Sequence, residues 1–296
     1  MKNCIMFLIV IAPVFLSAQF NVNIDESAKT FSKGSNPAYE FELTGSHLEK
    51  AQKDWMSYQS KGAKGKTAVI NGEVVTLSAV NANISATPFN IYSRLLETTT
   101  GVKITAWVTI NNDSVYMSNA VGDKNLAVEK YLHDFAAQEY RDVVKSQLKD
   151  ENQKLKKLQE QLKDFIDQQE SSTKKSNEFQ RSINNNKDKI KVNEGDQANK
   201  QSQISNQKQV VEDLKANPGA TLDAAKKTLS QYEKDLTKLI NEKEKLFKEI
   251  DKWAAKIDSQ NRETNAALDG QKMKYNEIDA QKAVVQAVQN KLDAIN

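Results

Sequence analysis

An apolar repeat in alternating steps of three and four residues holds one phase through the last quarter of the chain. From Leu222 it passes through Ala225, Leu229, Tyr232, Leu236, Leu239, Lys243, Leu246, Ile250, Trp253 and Ile257. The same count continues through Gln260, Thr264, Ala267, Gln271, Lys274, Ile278, Gln281, Val285, Val288 and Leu292 to Ile295. Sixteen of these 22 positions are apolar or aromatic. A period of 3.5 residues keeps one seam turned toward a partner helix and imposes a left-handed supercoil, so it predicts a coiled coil.

The partner arm lies upstream in the same chain. A second series runs Leu155, Leu158, Leu162, Phe165, Gln169, Ser172, Ser176, Phe179, Ile183, Asn186 and Ile190, then Asn193, Gln197, Lys200, Ile204, Gln207, Val211 and Leu214. Between the arms stands Ala216-Asn217-Pro218-Gly219-Ala220. Proline removes a helical donor and glycine accepts left-handed geometry, so the chain is expected to reverse at 216–220. Folding there sets residue i near 437 minus i. Phe179 and Ile183 then fall by Ile257 and Trp253, and the polar positions Ser172 and Ser176 fall opposite Thr264 and Gln260. Matching polar heights predict an antiparallel coiled-coil hairpin over 141–296. The competing arrangement breaks the arms at this polar window, or at Gly195 and Gly270, and folds them into a shorter bundle.

Upstream, residues 38–140 carry a mixed pattern and residues 19–37 read as a polar lead. In Ala38–Leu43, Tyr39, Phe41 and Leu43 share one face of a strand. Ser46-His47-Leu48-Glu49 matches a capping box opening a helix with Leu48, Ala51, Trp55 and Met56 on its buried side. Asn71-Gly72 marks a hairpin within 67–78. Phe89–Thr98 and Val102–Ile110 predict another around Thr99-Thr100-Gly101. Asn111-Asn112-Asp113-Ser114 turns the chain, and the apolar positions from Leu126 to Val144 predict a helix closing the sheet. The expected fold is α+β: a small antiparallel-sheet domain with packed helices, close to a ferredoxin-like arrangement, followed by the hairpin.

Met1-Lys2-Asn3, the apolar run Cys4–Leu16 and Ser17-Ala18-Gln19 read as a signal peptide over 1–18. Cys4, the sole cysteine, lies inside that run, so no disulfide or thiolate metal site is expected downstream. No later stretch is apolar enough to span a bilayer. Charged residues make up 27% of the chain and nearly balance, with no sustained basic block, which argues against nucleic acid as a partner.

Candidate chemistry is thin. Lys61-Gly62-Ala63-Lys64-Gly65-Lys66-Thr67 ends like a phosphate loop, but Ser60 stands where the first glycine is needed, and a strand follows where a helix is required. His47 and His133 have no partners by spacing, and carboxylates such as Glu242 and Glu244 sit at helical offsets from Lys245 and Lys248. Neither a catalytic set nor a cofactor is predicted. In the second strand of the later hairpin, Lys103, Thr105, Trp107 and Thr109 share the face away from the helices. They form the candidate partner contact, unless the polar lead or stalk base covers Trp107. Asp113-Ser114-Val115 resembles a short O-glycosylation acceptor of exported bacterial proteins.

The signal ending Leu16-Ser17-Ala18-Gln19, the Leu48-Glu49-Lys50-Ala51 to Trp55 helix and the closing segment Gln281–Leu292 resemble a group of secreted envelope proteins of Bacteroidetes-type bacteria. That resemblance implies export to the periplasm or beyond and carries over no site residues. The expected function is a non-enzymatic structural or adaptor protein whose coiled coil contacts envelope proteins or itself. The alternative is a ligand- or protein-binding module, the α+β domain, multimerised by the coiled coil. The hairpin also resembles that of periplasmic adaptor subunits of export systems, which flank it with different β domains.

Overall fold

A computed structural model describes residues 22–61, 63–110, 113–118, 124–216 and 219–295. The signal segment 1–18, the Asn111-Asn112 part of the expected turn and Asn217-Pro218 lie outside the described residues. The chain divides into two compact units. One holds the residues up to Lys156 together with those from Asp279 onward, and the other is Lys157–Ile278.

The first unit is built on an antiparallel sheet. Its strands are β1 (Asp25–Phe31), β2 (Gly34–Thr44), β3 (Thr67–Ile70), β4 (Glu73–Ala79), β5 (Phe89–Glu97), β6 (Gly101–Ile110) and β7 (Val115–Tyr116). They lie in the order β1-β2-β6-β5-β4-β3, with β7 pairing the end of β6. Helix α1 (Leu48–Ser60) follows β2, and α2 (Lys124–Leu214) follows β7. A ferredoxin-like chain would alternate β-α-β-β-α-β. Here every pairing is antiparallel, as expected, but two strands precede α1 and five separate it from α2, so the element order is not the ferredoxin-like one.

The stretch 19–37, read above as polar lead, is strand over residues 25–31 and 34–37, with a turn at Ser32-Lys33 between them. Its charged sequence hides the strand because most of β1 is exposed or half-buried, and its order comes from a full ladder with β2 running from Asp25↔Glu40 to Phe31↔Gly34. Pro37 is tolerated because β2 pairs β6 only from Tyr39 onward, so its missing donor interrupts no central ladder. At the second hairpin, Asn71 (φ 51°) and Gly72 (φ 79°) both take the left-handed geometry that a type I′ turn demands.

One sheet face makes the core. Tyr39, Phe41 and Leu43 oppose Ala106, Ile104 and Val102, and this layer packs on Ala51 and Trp55 of α1 and on Val128, Leu132 and Phe135 of α2. Trp55 is fully buried. Its ring lies 4.6 Å from Phe135, and its Nε1 donates to Ser93 Oγ at 2.7 Å. The capping box does not form. The N-cap is His47, extended at φ −102°, so Glu49 falls one place early, and the buried Ser46 Oγ has no hydrogen-bond partner. Below the sheet, Ala137 and Val144 of α2 pack with Val288 and Ile295, at the end of α3 (Ala220–Asp293) and just beyond it. Arg141 Nη2 donates to the Ile295 carbonyl at 2.9 Å.

In the second unit α2 and α3 run antiparallel, without a break at 169–176, 260–271, Gly195 or Gly270. Phe179 stacks on Trp253 with centroids 5.3 Å apart, and Ser172 Oγ reaches Glu263 at 3.3 Å. Every seam position counted above in either arm is buried or half-buried. The two helical glycines differ in what surrounds them. A Cβ at Gly270 would meet the Phe165 ring at 2.6 Å, whereas one at Gly195 would meet nothing within 4 Å. Gly195→Ala is therefore expected to raise stability by about 0.5–1 kcal/mol through helix propensity, and Gly270→Ala to lower it because overpacking outweighs that gain. Urea midpoints that moved in the same direction for both variants would contradict this packing.

Candidate functional site

The face of β6 pointing away from the helices carries the predicted contact residues, and the structure closes it. The turn joining β1 to β2 folds across that face. Phe31 stacks on Trp107 at 4.6 Å with ring planes 13° apart, and Tyr92 and Tyr116 lie 5.3 and 6.0 Å from Phe31. Trp107 Nε1 donates to the Lys29 carbonyl at 3.3 Å. At the tip, the Ser32 amide donates to Glu73 Oε1 at 3.1 Å, and Arg94 donates to the same oxygen at 2.9 Å. Trp107 is 1% exposed, so the candidate contact is corrected: it is the centre of a second, small aromatic core.

Its neighbours follow. Thr105 is buried and donates to Glu40 Oε1 at 3.0 Å, and Lys29 pairs with the other oxygen of Glu40 at 2.6 Å. Thr109 is fully buried and donates to Asp113. Lys103 alone of the four stays exposed, opposite the exposed Leu96 of β5.

Asp113 ties this region together at φ 66°, a left-handed geometry that aspartate tolerates. Its carboxylate accepts from Asn90 at 3.0 Å, from Tyr92 at 2.8 Å and from Thr109. Burial pushes this carboxyl upward, but those three bonds and the nearby Lys33 charge outweigh it and hold its pKa below the ordinary value. A depressed carboxylate pKa gives stability that is complete above the unfolded-state pKa and is lost as pH falls through the folded one. Asp113→Asn is accordingly expected to flatten the acid limb of the pH–stability curve below about pH 4. An unchanged acid limb in urea titrations would contradict the assignment. Ser114 beside it is exposed, whereas Asp113 is fully engaged.

The other predicted features stay apart. Lys61 to Thr67 joins α1 to β3, as its order implied. Among the described residues no three His, Cys, Asp or Glu side chains gather to hold a metal ion. No helix among them is long and apolar enough to cross a membrane.

The second unit has a more organised polar arrangement. Asn193 Nδ2 donates to the Leu239 carbonyl at 3.1 Å, and Gln197 Nε2 donates to Asn193 Oδ1 at 2.6 Å. Gln207 reaches the Ala225 carbonyl at 3.1 Å, Gln271 the Phe165 carbonyl at 3.3 Å, and Asn186 the Glu249 carboxylate at 2.9 Å. A helical carbonyl keeps a spare lone pair after accepting its own chain's N–H, so these amides bond across the seam without opening either helix. Such polar seam residues specify register. Open grooves flank this stretch, one lined by Asp188, Val192, Leu239, Leu246 and Glu249 and another by Asp196, Lys200, Asp235 and Lys238.

Counting seam positions misses a further row on α3. Ile240, Phe247, Leu268 and Tyr275 are 42–52% exposed although large and apolar. Each lies one residue past a seam position, and a tally of apolar residues at that offset would have found them. No protein-family model matches this chain, and no curated protein matches it.

Proposed function

We propose that the chain is a non-enzymatic structural or adaptor protein of the bacterial envelope, exported by residues 1–18 and akin to the Bacteroidetes-type group it resembles. In this reading α2 and α3 form an antiparallel coiled-coil hairpin that makes the protein–protein contacts. The observation that supports it is the division of the helical surface. Each arm packs on the other through its seam and a few flanking positions, with side-chain amides bonding across it, and leaves the outer faces and their apolar residues to solvent. A helix pair held in one register presents a fixed pattern of side chains to a partner, as helix-on-helix recognition requires.

The test replaces Lys157–Ile278 with a short glycine linker and compares in-cell crosslinking pull-downs from fractionated envelope. One dominant envelope protein should be captured by the intact chain and lost from the shortened one. Equal capture by both would end the adaptor reading of the hairpin.

A further inference from the structure

The exposed row on α3 runs Ile240, Phe247, Ala254, Asn261, Leu268, Tyr275, one residue every seven, entirely within the unit Lys157–Ile278. It sits one place beyond the seam residues Leu239, Leu246, Trp253, Gln260, Ala267 and Lys274. A straight helix would let such a row drift by about 20° per heptad, but this row shares the period of the buried seam and so stays beside it. Helices that meet a single partner need only the narrow seam, whereas helices in a larger bundle carry a third apolar position per heptad. Here α3 carries that third position, and α2 leaves it open.

The order of residues indicates what covers it. Read by size, the row is large, large, small, small, large, large. Reversed about the point between Ile257 and Asp258, it maps Ile240 onto Tyr275, Phe247 onto Leu268, and Ala254 onto Asn261. A two-fold contact needs this self-complementarity, because residue i must meet j while j meets i. An unrelated partner would impose no such symmetry. The adjoining exposed row, Glu244, Asp251, Asp258, Asn265 and Lys272, behaves the same way. Reversed about Asp258, half a residue from the first point, it sets Glu244 opposite Lys272 twice and Asp251 opposite Asn265, leaving Asp258 against its own mate as the one like-charged pair.

We propose that the chain self-associates through α3, two copies pairing antiparallel along this row over roughly 50 Å of helix. The inference rests on the hairpin reading above, since it needs the seam occupied by α2, but it does not depend on any envelope partner. It is tested on purified protein, where an envelope partner is absent.

Sedimentation equilibrium of the purified chain should give a dimer. Phe247→Glu with Leu268→Glu should weaken it at least about a hundredfold, because each charge would be buried without a partner. Met273→Glu, equally exposed but off the row, should leave it unchanged. Asp258→Asn should tighten the dimer by relieving the pair on the axis. With Cys4 replaced by Ser, Ala254→Cys and Asn261→Cys should form a disulfide when the two variants are mixed, and little when each is alone. A monomer at 100 µM would overturn the proposal, as would a dimer indifferent to Phe247→Glu/Leu268→Glu, or disulfides between identical positions. Loss of helical circular dichroism in that double variant would also overturn it, by showing that the row supports the hairpin itself. A dimer obeying these variants, in a protein that captures no envelope partner, would sustain this inference while removing the adaptor reading.

Discussion

Trp107→Ala is expected to destabilise the first unit by about 3–5 kcal/mol, the usual cost of deleting a buried tryptophan. The loss has two parts. The indole leaves a cavity beneath Phe31, Tyr92 and Tyr116, and the Lys29 carbonyl loses its donor. β1 should then detach first, because its side chains are otherwise exposed or half-buried and Phe31 is its one buried anchor. Hydrogen exchange should show the β1 amides exchanging much faster, with a smaller change in β5. A urea-derived loss below 1 kcal/mol, or equal acceleration across the sheet, would mean that the aromatic cluster does not fasten this strand.

Gly101→Ala should be nearly as costly, and its sign is diagnostic. In an open position, adding a Cβ to glycine stabilises by about 0.4–1 kcal/mol through the unfolded state. At Gly101 the added atom would lie 2.1 Å from the Leu43 carbonyl oxygen and 2.9 Å from its carbon, both backbone atoms of the paired strand. Neither can rotate away, so β2 and β6 must separate where Thr44 meets Gly101. We expect a loss of about 2–3 kcal/mol, at the upper end for overpacking, and a melting temperature lower by about 5–10 °C. An unchanged or raised melting temperature would contradict the close approach of the two strands.

Both hairpins and the helical seams were legible in the sequence because their signals are local. Asn71-Gly72 specifies a backbone geometry by itself, and a 3.5-residue period specifies which face is buried. β1 was not legible, since Asp25–Phe31 alternates poorly and becomes a strand by pairing with β2. The capping box failed by one residue, an offset that sequence spacing does not resolve. Alternation placed Trp107 correctly on the face away from the helices, but alternation says nothing about what lies over a face. Phe31, 76 residues upstream, covers it. The exposed row on α3 is not marked by the 3-4 repeat, which reports only the seam, because its residues lie one place beyond each seam position.

The pairing of Arg141, Val144 and Ala137 with Val288 and Ile295 has a kinetic consequence. These contacts close a loop of about 150 residues, so the base of the first unit cannot be completed until Ile295 has left the ribosome. Until then the apolar stripe of α2 at Ala137 and Val144 lacks the cover that Val288 and Ile295 give it. A polypeptide carrying such a late-closing element remains partly open until that segment is made, and truncation before residue 288 would remove part of the first unit as well as the end of α3.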